Sequence, residues 1–372
     1  MKKFASRSVI FAAATTAFTV AAPASAVEFK ISGQVDKAFV AADNGEDNDI
    51  GFVDNNGSNT RFRVLGSQDF DNGMTVGLNY EVGLTNDIST GFDINNSNNT
   101  DKTFLDVRKT EVYFGGNFGK VSLGKGDGAA NGTSEVDLSG TQYLGGGSAH
   151  YYASGISFLD DNGVAVGTIG GAAYNNLDAL SRNNRVRYDT PAFGGLVLSA
   201  SVASGKAFET AARYATEFGN GGKFAAAVDF LDSQDKDALI SQGGVRTFDG
   251  SFKEYGGSAS VLLSSGLNVS GMYKKRDSDT ASAEGESYFV GVGYTVAKHH
   301  TQIGWGRSND LANEGSEGNN YQLAYVYDLR SDIELFGSVR HVTLDNVENG
   351  GGVLIDAQDI NYLYVGARVK FL

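Results

Sequence analysis

The sequence predicts an all-β fold: a transmembrane antiparallel β-barrel of sixteen strands. Three observations lead there. Apolar and polar residues alternate with a period of two in one segment after another, and no comparable stretch holds a period of 3.6. Seven tight turns alternate with eight longer polar connections, and fifteen connections join sixteen strands. After residue 26 no run reaches the roughly 18 apolar residues that a membrane helix needs, a requirement that strand-built membrane proteins escape.

The N-terminus comes first. Lys2, Lys3 and Arg7 precede an apolar run of 12 residues from Val9 to Val20, followed by Pro23 and the small-residue site Ala24-Ser25-Ala26. This is the pattern of a secretory signal peptide over residues 1–26, with cleavage expected after Ala26. The barrel then occupies residues 27–372. Losing three cations takes the formal charge from −14 to −17.

The first strand is expected over Glu28–Val40, where Phe29, Ile31, Val35 and Phe39 alternate with Lys30, Ser32, Gln34 and Asp36. Similar rows run through Met74–Leu84, Leu196–Val202, Phe224–Phe230, Tyr255–Leu263, Leu267–Tyr273, Tyr288–Val296, Tyr321–Tyr327 and Ile333–Val339. In the last strand Leu363, Val365, Ala367, Val369 and Phe371 form an apolar row, against Tyr362, Tyr364, Gly366, Arg368 and Lys370. The apolar rows are expected to face lipid and the others a wet lumen. Tight turns are expected at Asp71–Gly73, Asn117–Gly119, Pro191–Gly195, Gly219–Gly222, Ser264–Gly266, Ala297–His299 and Asp328–Asp332. Long connections are expected over Ala41–Asn59, Asn86–Lys102, Gly126–Ser181, Ser204–Glu209, Asp232–Phe252, Arg276–Glu286, Ser308–Asn319 and Leu344–Asp359.

These connections assign the two sides. An even strand count puts both termini on one side, with short periplasmic turns and long, acidic extracellular loops. Pro191, the only proline after residue 26, falls in a tight turn, where its missing N–H breaks no ladder. Sixteen strands enclose a lumen too wide for wall side chains to fill, so its centre holds water. A soluble β-sandwich or propeller is the competing fold; the signal peptide, the strand count and the loop asymmetry all argue against it. The chain has no Cys, which excludes a disulfide scaffold and thiol chemistry. Its acidic balance argues against nucleic acid as a partner.

Four stretches carry a resemblance. They are "NTRFRVLGSQDFDNGMTVGLNYEVG" (Asn59–Gly83), "RKTEVYFGGNFGKVSLGKGD" (Arg108–Asp127), "NRVRYDTPAFGGLVLSAS" (Asn184–Ser201) and the closing "YVGARVKF". In this order and spacing the sequence resembles the general diffusion porins of Gram-negative outer membranes, which are sixteen-stranded trimers. The resemblance implies that the third long connection, about 126–181, folds into the lumen and narrows it, with acids facing a basic wall. Asp127, Glu135 and Asp137 would be the acidic side. Arg61, Arg108 and Lys125 fall where the family places wall cations, and Arg182 lies near another such position. Arg63 shares the parity of Arg61, while Arg185 and Arg187 alternate with Val186 and Tyr188, so these also belong to the basic wall. Periodicity leaves the facing of Arg108 open, because Thr110, Val112 and Phe114 share its parity. The resemblance also makes Phe371, in a terminal aromatic register, the assembly signal, here followed by one extra residue, Leu372.

Other motifs do not hold. Gly119–Lys125 lacks the Ser or Thr and the following helix of a phosphate-binding loop. His299 and His300 sit in a turn, with His150 and His341 distant in sequence, and turn polarity explains the pair better than a metal site. The acidic stretch Asp43–Asp49 lacks the spacing of a calcium loop and serves to keep the first connection solvated, with a divalent bridge to lipid head groups as the alternative. No nucleophile–base set is suggested, so no enzyme is expected, and no cofactor or metal.

The expected function is a water-filled channel for passive diffusion of small hydrophilic solutes and ions. The alternatives are a solute-specific channel of the same architecture, using Tyr143, Tyr151 and Tyr152, or less readily a barrel-based adhesin or enzyme. Expected partners are two further copies in a homotrimer, outer-membrane lipids and lipopolysaccharide, and the barrel-assembly machinery. Acidic loops draw cations to the mouth while wall cations draw anions at the narrowest point, and the balance leans towards cations. Deleting Leu372 and measuring the yield of folded trimer tests the terminal signal. An unchanged yield means the extra residue is tolerated, and a rise means it slows assembly.

Overall fold

The computed structural model describes residues 27–84, 87–94, 105–144, 151–234, 240–242, 244–246, 251–278 and 284–371. The expected signal peptide 1–26 with its expected cleavage point, His150 and Leu372 lie outside them. Sixteen antiparallel strands close into a barrel. They begin with β1 (Glu28–Asp43), β2 (Asn48–Asp54 continued by Arg61–Asp69), β3 (Thr75–Leu84), β4 (Leu105–Gly116) and β5 (Gly119–Asp127). After the third long connection follow β6 (Arg182–Asp189), β7 (Leu196–Ala203), β8 (Phe208–Phe218), β9 (Gly222–Asp232) and β10 (Phe252–Leu262). The circuit ends with β11 (Leu267–Ser278), β12 (Gly285–Val296), β13 (His299–Asn309), β14 (Glu317–Arg330), β15 (Ile333–Asp345) and β16 (Ile360–Phe371). Each strand pairs with its neighbours in sequence, and β1 pairs with β16 from Gly33 opposite Phe371 to Asp43 opposite Asn361. That last ladder removes the sheet edge, which hydrocarbon would leave without hydrogen-bond partners.

The two rows of each strand separate as the alternation requires. In β16 Leu363, Val365, Val369 and Phe371 are exposed on the outer surface, whereas Tyr362, Tyr364 and Arg368 are buried inside. The same division runs around the wall, for example at exposed Ile303 beside buried Gln302 in β13.

The first connection differs from expectation. Instead of one loop over Ala41–Asn59, β1 runs on to Asp43 and pairs with Asn48–Asp54, which leaves a turn of four residues. Dense Asp and Asn hide a two-residue alternation here: Ile50 and Phe52 face outwards, and Val53 packs inside with Val40 and Ala42. β2 then breaks at residues 55–60. The break is closed by polar side chains, with Asp54 Oδ1 accepting the Thr60 N–H at 2.9 Å and Asn55 Oδ1 that of Gly57 at 3.1 Å. Below the break, Arg61–Asp69 resumes pairing with the lower half of β1.

The connection between β5 and β6 folds into the lumen. Its Leu144, Tyr152, Ile156, Phe158 and Ile169 form an apolar core with Phe336, Leu344, Ile360 and Tyr364 of β15 and β16. It contains a short hairpin, Ser157–Leu159 with Ala165–Thr168, and one π-turn, Ile169–Ala173. The backbone of that turn comes so close to β14 that a Cβ on Gly318 would stand 2.0 Å from the Ala173 carbonyl oxygen.

The outward row predicts a specific cost. Ile303 lies mid-strand with 69% of its surface exposed, so Ile303→Arg is expected to destabilise the folded barrel by about 2–4 kcal/mol. Reversible unfolding from lipid vesicles measures the difference. Gln322→Arg would not serve as a control, since it faces the buried lumen side.

Candidate functional site: the lumen wall and its loop

The inserted loop satisfies part of its backbone within itself, and the wall supplies partners for other groups. Glu209 Oε2 accepts the N–H of Ala130 at 3.3 Å, and Ser201 Oγ that of Ala129 at 2.9 Å. Further round, Ser258 and Ser260 hydroxyls accept from Val136 at 2.9 Å and Leu138 at 3.0 Å. Glu254 Oε1 accepts from Ala179 at 2.7 Å, and Ser308 Oγ from Asn175 at 3.2 Å. On the other side Tyr362 donates its hydroxyl to the Tyr152 carbonyl at 2.8 Å, and Arg340 donates to that of Leu144. These inward Ser, Glu, Tyr and Arg residues come from several different strands, so the loop is fixed along much of the circumference. A buried backbone group left without a partner costs about 1–3 kcal/mol, which makes each of these contacts consequential.

The carboxylates among them are themselves held. Lys274 sits between Asp229, at 2.7 Å, and Glu254, at 3.3 Å, with all three side chains fully buried. Arg276 Nη2 adds a second cation 2.8 Å from Glu254 Oε2.

The opposite wall carries the arginines. Glu81 of β3 is buried and takes Arg108 Nε at 2.6 Å, Arg63 Nε at 2.7 Å and Arg61 Nη1 at 3.6 Å. Three guanidiniums thus share one carboxylate. The facing of Arg108 is decided by a β-bulge: Glu81 lies opposite Lys109 and Val82 opposite Val107, so Arg108 is an extra residue in β4. Arg108 and Lys109 both turn inwards, Arg108 to Glu81 and Lys109 to the Asp127 carboxylate, while Val107 and Val112 stay outside. Arg182 lies opposite Asp127 in the ladder, close enough that its charge acts on Arg61, Arg108 and Asp127.

The remaining expected positions separate. Arg185 is buried and tied to Glu111, with Nε donating to the Asp127 carbonyl at 2.9 Å. Arg187 forks onto Asp189 at 2.7 Å and reaches the Gly128 carbonyl at 2.7 Å. Lys125 does not join the arginines. It lies opposite Thr110 and shares the parity of outward Leu123, with its ammonium 3.7 Å from Asp106. Among the acids, Glu135 Oε1 accepts from Asn176 Nδ2 at 2.9 Å. Asp137 is brought to the far wall, accepting from Gln302 Nε2 at 2.8 Å and from the Ser139 N–H at 2.8 Å. Burial raises its carboxyl above the usual range.

Sequence reasoning missed Glu81, whose inward parity beside Gly77, Asn79 and Gly83 was visible, and Lys109, which shares the inward parity of Glu111. It also missed Asp178, a buried loop acid that accepts the Gly132 N–H at 2.7 Å and the Ser134 hydroxyl at 2.9 Å. Burial and the charge of Glu135 push its carboxyl well up. Tyr151 lies among the charges of Glu135, Asp178, Arg182 and Arg108. Tyr143 and Tyr152 are engaged in packing: the Arg368 guanidinium lies 3.7 Å from the Tyr143 ring centre, and Tyr152 meets Tyr364 edge-on at 5.1 Å. Among the described residues no group of three metal-ligating side chains occurs; His300 Nε2 lies 3.1 Å from Asp328 Oδ2 instead.

A closed sixteen-stranded barrel with an apolar exterior and a charged lumen narrowed by its own loop defines a membrane channel. The Gram-negative porin family model matches residues 12–347, and the chain belongs to that family. No curated protein matches the sequence. Among solved structures the fold is similar to the anion-selective porin from Comamonas acidovorans (TM-score 0.62, 17% identity, covering 93% of this chain and 100% of that one). It is also similar to the trimer form of OmpT, an outer membrane protein of Vibrio cholerae (TM-score 0.59, 15% identity, covering 93% and 100%). A mutant of the porin from Rh. blastica is similar too (TM-score 0.51, 13% identity, covering 92% and 100%). The protein is therefore an outer-membrane channel for solute diffusion, and the family is one of channels rather than enzymes.

The buried network that holds the loop makes a prediction. Glu254→Gln keeps the shape but leaves Arg276 without its carboxylate, and removing one partner of a buried pair costs about 3–5 kcal/mol. The variant is expected to lose its folded gel mobility at lower temperature and to show noisier single-channel current than the parent, as the loop loosens.

Proposed function

We propose that solutes are filtered between the Arg61, Arg63, Arg108 and Arg182 guanidiniums on the wall and Glu135 and Asp178 on the inserted loop. The observation that carries this reading is the gathering of Arg61, Arg63 and Arg108 on the one Glu81 carboxylate, with Arg182 opposite Asp127 in the ladder. Opposed charges across a narrow, low-dielectric passage set up a transverse field that orders water and polar solutes. An apolar solute must displace that ordered water and is held back. No bond is broken and no energy source is required. Asp127, neutralised by Lys109, contributes less field than its position in the sequence suggests. Asp137 serves as a loop anchor on the far wall, and Lys125 lies outside the filter.

Three further readings belong to this proposal. Cleavage after Ala26 and export precede assembly, with Phe371 read by the assembly machinery. The working unit is a trimer, supported by the trimer form of the similar OmpT. Outer-membrane lipid and lipopolysaccharide cover the remaining apolar exterior. Packing of Tyr143 and Tyr152 into the loop core favours general diffusion over a sugar-binding slide. Liposome swelling tests the function: the rate is expected to fall smoothly with solute size and to rise linearly with concentration. Saturation by one solute would replace this reading with a solute-specific channel.

A further inference from the structure

We propose that the channel prefers anions, and that Arg182 is the residue that passes them through the narrows. The inference rests on the passage proposed above and names its substrate class. Around that passage the wall presents five cationic groups, Arg61, Arg63, Arg108, Lys109 and Arg182, with the carboxylates of Glu81 and Asp127 among them. The loop adds Glu135 and Asp178. Asp178 is buried and bonded to a loop N–H and a loop hydroxyl, and burial and Glu135 push its carboxyl up. Five cations then meet four acids, Glu81, Asp127, Glu135 and Asp178, and the surplus is positive. Asp137, which would redress the balance, is spent on Gln302 at the far wall.

The overall acidity of the chain does not reverse this. Charges in the extracellular connections are screened beyond about 8 Å at physiological salt, whereas charges lining a narrow, partly buried passage are screened much less. The lean towards cations drawn from net charge therefore gives way to the local balance.

Within the passage the arginines are not equivalent. Arg61, Arg63 and Arg108 are tethered to Glu81, Arg185 to Glu111 and Arg187 to Asp189. The Arg182 side chain makes no hydrogen bond or ion pair with any other described residue, and its surface is partly open. A guanidinium presents five N–H donors in a planar fork that matches the paired oxygens of a carboxylate or phosphate. A tethered arginine supplies field, and an untethered one can also take the transient contact. Small carboxylates and phosphates are thus the favoured class, with chloride passing by the same field.

Purified full-length protein in planar bilayers under a potassium chloride gradient tests the inference. The reversal potential is expected to report chloride over potassium by several-fold. Arg182→Gln should bring the ratio towards unity, and Arg182→Lys should retain most of the preference. Inorganic phosphate and succinate, added separately, should each reduce chloride current in the parent and do so less in Arg182→Gln; the stronger of the two identifies the preferred oxyanion. Potassium preference in the parent overturns the inference while leaving the diffusion channel standing. An unchanged ratio in folded Arg182→Gln overturns the role of Arg182. Absence of any conductance overturns the channel reading itself. The parent measurement needs no variant to fold.

Discussion

Every backbone N–H and C=O of a chain in hydrocarbon needs a partner within the protein, because the medium offers none. That constraint explains the closure of β1 on β16 and the two-residue alternation that gives each strand a lipid row and a lumen row. It also explains the inserted loop. A loop inside a barrel has left bulk water, and its N–H groups face the same shortage. The wall meets it with side chains that point inwards from strand after strand: Ser201, Glu209, Ser258, Ser260, Glu254 and Ser308. The polar row that makes the lumen wet is thus also the scaffold that shapes it.

The barrel was legible in the sequence because its signal is local. Period-two alternation, short turns and the strand count follow from neighbouring residues, and the division of Arg185 and Arg187 from Val186 and Tyr188 follows from them as well. What was not legible depends on irregularity or on distance. One extra residue in β4 turns Arg108 inwards beside Lys109, and no periodic reading can place such a bulge. The break in β2 lies in a run of Asp and Asn that reads as loop, although half of it is strand. Lys125 has the spacing of a wall cation, but its ammonium lies 3.7 Å from Asp106, a partner that spacing does not announce. The partners of the loop are remote in sequence, as with Leu144 and Arg340, and nothing near either residue announces the contact.

Charge in this protein is sorted by place. Formal charge is strongly negative over the chain, and the acidic stretches lie in its connections. Inside, cations and acids meet along the wall, as at Arg185 with Glu111, Arg187 with Asp189, and Arg368 with Glu334 at 2.7 Å. Glu254 takes both Lys274 and Arg276, Glu334 both Arg368 and Lys370, and Glu81 serves three arginines at once. A net charge summed over the chain therefore says little about the field at the one place where a solute is confined.

The wall cations on the loop side have a different use from those at Glu81. A buried ion pair is seldom more stable than well-packed apolar residues of the same volume, because desolvation offsets most of the attraction. Stability alone would not select Lys274 and Arg276. Their carboxylates, however, also hold the loop, since Glu254 accepts the Ala179 N–H and Asp229 accepts the Thr133 hydroxyl at 2.7 Å. Lys274, fully buried between the two, holds both carboxylates in place as acceptors. The pairs hold the loop in one position at a cost in stability, and a filter needs a fixed position more than it needs the last kilocalorie.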